Sequence, residues 1–431
     1  MKTVPDSWPN FLNDVFTSLN PEQPSNLTAL LEFLKILPEE VLHAEIGTSQ
    51  KSKVNAELCG NVDRILAFLD QCLNHQEIKI RQQSLVCLQS WIHFDVPVLS
   101  FAPIINRIFS MMAEESMFET VVDVLTELIQ CPQSANFESS ICSAFIQQIS
   151  SGWFRTKFEA SFQDEDFVKS ACRLLVTIGE TYTSYLIEHL GTPEVVYMLQ
   201  MILRCTDYPG YFVFDEEFSD STLNFWFVLH DDLLDELHLP SADHQFDLEI
   251  ASSMESLQNV EDVSEAMQTA VQNPDILPAP KDNSAIRNAA DELFSALIHM
   301  LRRKSMFPDD AQWKSASIDE QKRFLNYRRE LADTMVYGYY IVRQKTLSIL
   351  GEKLAEHLRS STIKWQEIEA TLFCIKAVAE VVENNEQLYM PNIIEMTLSS
   401  VPQSRSPRLC QTAVNLIGNP PFSFILFNAG M

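Results

Sequence analysis

The sequence has 431 residues, of which 59 are acidic and 31 are basic, and its formal net charge at pH 7 is −28. A field this negative repels phosphates and anionic lipids and attracts basic proteins, so no nucleic acid and no membrane is expected as a partner. Only 10 residues are Gly, which disfavours a dinucleotide-binding or β-rich fold. The composition favours an acidic, mainly helical protein that binds basic protein surfaces.

Cysteine usage and the N-terminal residues indicate a reduced compartment. Nine cysteines occur without any Cys-x-x-Cys pair. The N-terminus, with Pro5, Asp6 and Trp8, lacks the basic and apolar runs of a signal peptide, and no apolar run approaches the ~18 residues of a membrane span. Five cysteines among apolar residues are expected to be reduced core thiols in a cytosolic or nuclear protein: Cys72, Cys87, Cys142, Cys172 and Cys374.

Apolar residues recur at helical spacing before residue 204. A first helix is predicted over residues 6–20, and a second begins at Ser25 and is expected to end at Pro38. Thr192, followed by Pro193, predicts the start of another helix. Further helices are predicted at 62–73, 80–92, 101–112, 118–129, 141–149, 167–178 and 195–203. Short helices with a period of about 40 residues are typical of two-helix HEAT repeats.

The stretch between Arg204 and Lys281 is strongly acidic, with seventeen Asp and Glu residues and no Lys or Arg. Its aromatic helix is predicted to end in acidic side chains, which are unfavourable at the negative end of a helix dipole. The cluster is therefore either a binding site for Lys and Arg side chains of a partner or a solvated turn. The candidate partner-binding residues are Asp215, Glu216, Glu217, Asp231, Asp232, Asp235 and Glu236.

Helical periodicity resumes near Ala289. Ser317-x-x-Glu320 predicts a capping box for a long helix, and Trp313 is expected in the preceding loop. Two basic clusters follow the acidic stretch, and each is interpreted as a contact for an acidic partner, a pair with the acidic stretch, or a solvated helix end. They are Arg302-Arg303-Lys304 and the group Arg323, Arg328 and Arg329.

These patterns predict an all-α solenoid, an α–α superhelix of about nine HEAT-like helix pairs. The expected domains are a first repeat array over 1–239, an acidic loop without stable structure over 240–281, a second array over 282–418, and an unmatched apolar tail over 419–431. The alternative is an ordinary multi-helix globular domain.

No pattern typical of catalysis occurs, since the sequence has no G-x-S-x-G, H-E-x-x-H or P-loop motif. His230, Asp231, Asp232, Asp235 and His238 are ligand types that suit Zn or Mn. A charge cluster at the entry to a loop explains them as well. We expect no enzyme activity, no catalytic residues, no cofactor and no metal.

Several short patterns, in this order and at this spacing over about residues 6–418, resemble the karyopherin-β family of nuclear transport receptors. They are Leu37-Pro38-Glu39-Glu40; Ile80-Arg81-Gln82 with Ser90-Trp91; Pro209-Gly210-Tyr211 with Leu223-x-Phe225-Trp226-x-x-Leu229-x-Asp231-Asp232; Phe307-Pro308-Asp309 with Tyr327-Arg328; and Trp365-Gln366-x-x-Glu369-Ala370-x-Leu372-Phe373 with Ala379-Glu380.

The resemblance implies a non-enzymatic carrier that shuttles between cytoplasm and nucleus. Members of the family bind protein cargo inside the superhelix, bind the GTPase Ran in its GTP form, and contact Phe-Gly repeats of nucleoporins. The sequence departs from the family in lacking the first repeats and the C-terminal half, and in carrying a longer acidic insertion after Glu236. It therefore resembles an internal portion with weakened or lost Ran binding. The alternative is a HEAT scaffold or regulatory subunit outside nuclear transport.

Overall fold

A computed structural model describes residues 6, 8–21, 23–94, 96, 98–131, 138–239, 283–360, 364–382, 386–401 and 406–418. These residues form twenty α-helices, with 3₁₀ turns at Val98–Phe101 and Ser219–Thr222. The chain divides into two compact units, residues 1–185 and 186–431. The predicted acidic loop and apolar tail lie outside the described residues, and the domain boundaries predicted from the sequence stay predictions.

The first unit is built from two layers of helices. In one layer α2, α5, α7 and α10 pack in succession, and in the other α4 packs on α5 while α6 packs on both α4 and α7. The helices are α1 (Phe11–Ser18), α2 (Pro24–His43), α3 (Thr48–Gly60), α4 (Val62–Leu73), α5 (Ile78–Ile92), α6 (Ala102–Met111), α7 (Phe118–Gln130), α8 (Glu138–Ser150), α9 (Gly152–Ala160) and α10 (Glu165–Thr181).

The second unit repeats this arrangement. One layer is the succession α13, α16, α18 and α20, and the other is the succession α12, α14, α17 and α19. The helices are α11 (Thr183–Glu188, which begins in the first unit), α12 (Pro193–Thr206), α13 (Leu223–Leu237), α14 (Ser284–Lys304), α15 (Asp310–Ser315), α16 (Ile318–Val342), α17 (Gln344–Arg359), α18 (Trp365–Ala379), α19 (Met390–Ser400) and α20 (Pro407–Ile417).

The local signals that begin these helices act as the sequence predicts. The Ser317 hydroxyl accepts a hydrogen bond of 3.2 Å from the Glu320 backbone N–H, and the Glu320 carboxylate accepts one of 2.7 Å from the Ser317 N–H. The capping box is therefore confirmed, and α16 runs from it for 25 residues. Pro193 occupies the first turn of α12, as predicted.

The prediction that the second helix ends at Pro38 is wrong, because α2 continues to His43. Proline removes the N–H that would bond to the carbonyl four residues earlier. Here that carbonyl belongs to Leu34, and it accepts the indole N–H of the buried Trp91 at 3.0 Å. A tertiary hydrogen bond from α5 therefore replaces the missing helical one.

Four helices were not predicted from the sequence: α3, α9, α11 and α15. Trp313 lies in α15 and not in a loop, because the Asp309 carboxylate caps that helix by accepting hydrogen bonds from Ala311 N and Gln312 N, at 3.0 and 2.8 Å. The helix α3 buries only Val54 and Leu58, so its sequence carries no continuous apolar stripe.

Candidate partner-binding surface

The connection between α12 and α13 is fastened to the end of α14 by Lys304. The Lys304 ammonium donates hydrogen bonds to the carbonyls of Tyr208 and Gly210, at 2.9 and 3.0 Å, and to the Glu216 carboxylate at 2.8 Å. The other Glu216 oxygen accepts the Phe218 and Ser219 N–H groups, both at 3.0 Å. Both charged groups are buried, and their hydrogen-bonding capacity is used within the chain.

The backbone of this connection is held in conformations that most residues avoid. Gly210 has φ +103°, and a Cβ placed there would lie 2.6 Å from the Cβ of Asp215. Val213 has φ +73°, which is uncommon for a β-branched residue. The Asp215 carboxylate closes the turn by accepting the Tyr211 N–H at 2.8 Å and the Gln312 side-chain amide at 3.0 Å.

The upstream half of the predicted acidic site therefore makes contacts inside the chain. Glu216 is only 2% exposed and is paired with Lys304. Glu217 is exposed and forms an ion pair of 3.0 Å with Arg323 on α16. Asp215 is exposed but bonded to the turn and to Gln312.

The interpretation of the basic clusters as solvated helix ends is wrong for Arg302, Lys304 and Arg328, which are all buried. The Arg328 guanidinium forms hydrogen bonds of 3.0 and 2.9 Å with the Glu369 carboxylate and lies 4.1 Å from the ring centroid of Phe307 and 4.1 Å from that of Phe373. These contacts of Arg328 with Glu369 and Phe373 hold α16 against α18. Arg303 is bonded to Asp207.

The downstream half of the predicted site lies at the end of α13, where His238 in the left-handed conformation (φ 50°) ends the helix. Asp231 and Asp235 are exposed, and Asp232 and Glu236 are half-buried. Burial raises the pKa of the Asp232 carboxyl, and the charges of Asp231 and Asp235 raise it further. In the described part of the chain, Asp231, Asp232 and Asp235 form no ion pair, so this end of the helix carries uncompensated negative charge.

The helix α16 packs beside α13 and extends this acidic surface. The pairs Ser219 with Tyr327 and His230 with Tyr340 are in contact, so the two helices run in the same direction. Glu330 and Asp333 on α16 are exposed, and neither forms an ion pair within the described ranges. Burial raises the pKa of Asp333. Burial also raises the pKa of Tyr337, and the charge of Asp333 raises it further.

An aromatic pair lies in the middle of these carboxylates. Phe227 on α13 is 42% exposed, and its ring centroid is 5.3 Å from that of the half-buried Tyr337 on α16. His230 also stacks on Tyr337, with centroids 4.9 Å apart. Burial lowers the pKa of the His230 imidazole to about 4, and the charge of Arg343 acts in the same direction. The contact between Phe227 and Tyr337 was not predicted from the sequence, although Phe227 lies one helical turn before Asp231.

The imidazole of His230 is buried beneath the surface that its acidic neighbours form, and neither ring nitrogen has a hydrogen-bond partner in the described part of the chain. Among the same residues, no group of three His, Cys, Asp or Glu side chains is arranged to hold a metal ion. None of the described helices has both the length and the apolar character that crossing a membrane requires.

Comparison with known proteins identifies the class. Residues 1–125 match the family described as Exportin 1-like protein, and residues 163–257 match the Transportin-3/Importin-13 second TPR domain. A solved structure of importin-13 in its cytosolic state superimposes with a TM-score of 0.73 and 18% sequence identity, covering 98% of this chain and 49% of that one. The prediction of an all-α solenoid of helix pairs is confirmed.

Over most of its length the chain resembles importin-13 and related transport receptors of the karyopherin-β family. It is 25% identical to Importin-13 of Bos taurus over 406 residues and 25% identical to Transportin MOS14 of Arabidopsis thaliana over 410 residues. These alignments include 91% and 92% of this chain but 38% of each relative, so the chain spans well under half the length of either. The family is non-enzymatic, which agrees with the prediction that the chain is not an enzyme.

Proposed function

We propose that this chain carries protein cargo with a basic surface between cytoplasm and nucleus, in import and with export as a second direction, under the control of Ran in its GTP form. Its place of action is then both compartments and the nuclear envelope. The similarity to karyopherin-β transport receptors supports transport as the function. The unpaired carboxylates on α13 and α16 support a basic partner.

The acidic surface is the observation that carries the choice of cargo. Asp231, Asp235, Glu330 and Asp333 are exposed on two helices that pack side by side. Their charges are not neutralised by Lys or Arg in the described residues, in contrast to Glu217 and Glu369 nearby. Attraction between exposed charges is screened over about 10 Å at 0.1 M salt, so cargo binding is expected to weaken as salt rises.

We also propose that Phe-Gly repeats of nucleoporins bind the groove between α12 and α14. This groove has a volume of about 480 Å³ and is lined mainly by apolar side chains. Among them are Leu199, Leu203, Leu293 and Met300. A phenylalanine ring is a rigid apolar group that fills such a groove at a low cost in conformational entropy.

The test of the transport function is a titration of the purified chain with Ran loaded with a non-hydrolysable GTP analogue, with GDP-loaded Ran as the control. Selective binding of the GTP form supports a receptor controlled by Ran. Binding of neither form by a chain that circular dichroism shows to be helical contradicts Ran control. A cargo-binding segment or a scaffold outside nuclear transport then becomes the better explanation.

A further inference from the structure

We propose that Phe227 and Tyr337 anchor an arginine side chain of the bound basic partner, with Asp231 and Asp333 receiving its charge. This proposal rests on the proposed function only in assuming a basic partner. The two rings would make the surface prefer arginine over other cations.

The first argument is the exposure of an aromatic ring on a helix that packs against a neighbour. Phe227 leaves 42% of its surface open, while Phe225 and Trp226 on the same helix are fully buried. Its ring and that of Tyr337 are inclined at 50° with centroids 5.3 Å apart, so the two rings form one aromatic pair that is partly open to solvent. Exposed aromatic side chains in a charged rim are typical anchors of protein interfaces.

The second argument is the position of the carboxylates around these rings. Asp231 lies four residues after Phe227 on α13, and Asp333 lies four residues before Tyr337 on α16. Residues four apart share one face of a helix. Since the helices run in the same direction, a carboxylate lies one turn from the aromatic pair at each end. A planar cation on the rings can therefore bond to an acid on either side.

The interior of the same unit already uses this combination. Arg328 is stacked between Phe307 and Phe373, with its charge received by Glu369. Arginine suits such a site better than lysine, because its flat guanidinium is weakly hydrated and bonds to carboxylates through two N–H groups while it stacks on a ring.

The buried His230 also contacts Tyr337 and does not repel a cation. Its ring stacks on Tyr337 at 27°, and its depressed pKa keeps it neutral at pH 7. The guanidinium of Arg343 lies 5.4 Å from the ring centroid of Tyr340, one turn after Tyr337 on α16. Phe227 is 42% exposed and Tyr337 is half-buried, so an external group can reach the aromatic pair.

The experiment measures binding of the whole chain to three fluorescein-labelled peptides that carry six arginines, six lysines or six citrullines between Gly-Ser spacers. Citrulline has the shape of arginine without its charge. We expect the arginine peptide to bind most tightly and the citrulline peptide not to bind. In Phe227→Ala the affinity for the arginine peptide should fall by about fivefold, while that for the lysine peptide changes little. Phe227→Tyr should retain the arginine preference.

The control variant is Leu325→Ala, which removes an apolar side chain of similar exposure, 40%, from the same helix as Tyr337. Its affinity for each peptide should match that of the unmodified chain, and circular dichroism checks that all variants are folded. Unchanged arginine binding in folded Phe227→Ala, or an equal loss for both cationic peptides, overturns the anchor but leaves the proposed function standing. No binding of either cationic peptide by the unmodified chain overturns both the anchor and the choice of a basic partner.

Discussion

The carbonyl oxygen of Leu34 and the indole N–H of Trp91 form a hydrogen bond of 3.0 Å that joins α2 to α5. Both residues are fully buried, and the bond exists because Pro38 cannot supply the helical donor. One proline thus leaves a carbonyl inside a helix without its helical donor, and an aromatic side chain from the next repeat donates a hydrogen bond to it. The pair links a local break in hydrogen bonding to the packing of two neighbouring helices.

Trp91→Phe should lower the free energy of unfolding by about 1–3 kcal/mol, because it leaves the buried Leu34 carbonyl without a donor. Pro38→Ala returns a backbone N–H to that carbonyl. In the Pro38→Ala background, the same Trp91→Phe change should therefore cost about 1 kcal/mol less. Urea denaturation followed by circular dichroism on the four proteins measures this coupling, and additive effects would show that the bond is not energetically important.

Lys304→Met should destabilise the second unit by about 3–5 kcal/mol, since it leaves the Glu216 carboxylate buried without a counter-charge. Adding Glu216→Gln to this variant should recover part of the loss. The matched control is Lys345→Met, whose exposed ion pair with Asp291 should contribute no more than about 1 kcal/mol. Denaturant unfolding measures all three, and equal losses in Lys304→Met and Lys345→Met would argue against the buried pair.

Arg328→Lys should lower stability by about 2 kcal/mol, because the lysine ammonium cannot stack as a plane between the rings of Phe307 and Phe373 while it bonds to Glu369. Arg329→Lys provides the comparison on the same helix. Arg329 is exposed and bonds to the Asn326 side chain, so its replacement should change stability by less than about 0.5 kcal/mol. Thermal unfolding of the two variants distinguishes a requirement for guanidinium geometry from a requirement for positive charge.

Stability should fall as the pH drops through the range in which His230 would titrate. Its pKa is lowered from 6.5 to about 4 in the folded chain, so the unfolded chain binds the proton more readily. The contribution is fully present above pH 6.5 and is lost towards pH 4, with a maximum of about 3 kcal/mol. His230→Phe, which keeps a stacked ring, should show a shallower loss between pH 7 and 4.5. Parallel pH profiles of the two proteins would contradict this.

The sequence predicted the helices because their signals are local. The capping box of Ser317 and Glu320, the proline at the start of α12 and the apolar stripes all act within a few residues. The acidic end of α13 was predicted for the same reason. Its availability for binding depends on the elements that pack around it.

The rest depends on contacts between residues distant along the chain. Glu216 and Lys304 are 88 positions apart, so neither the charge pattern nor the spacing shows that they neutralise one another. The composition made both look like surface charges. Phe227 lies in the predicted aromatic helix, but its exposure next to Tyr337 depends on the placement of α16 beside α13.

The saturated bonding of Lys304 has a consequence for chemical labelling. Its ammonium already donates to two carbonyls and one carboxylate inside the protein. An amine-reactive reagent therefore requires the α12–α13 connection to detach before it can acylate this nitrogen, whereas Lys322 on α16 is exposed to the reagent at once. The acylation rate at position 304, measured by mass spectrometry of tryptic peptides, therefore reports how often neighbouring repeats separate.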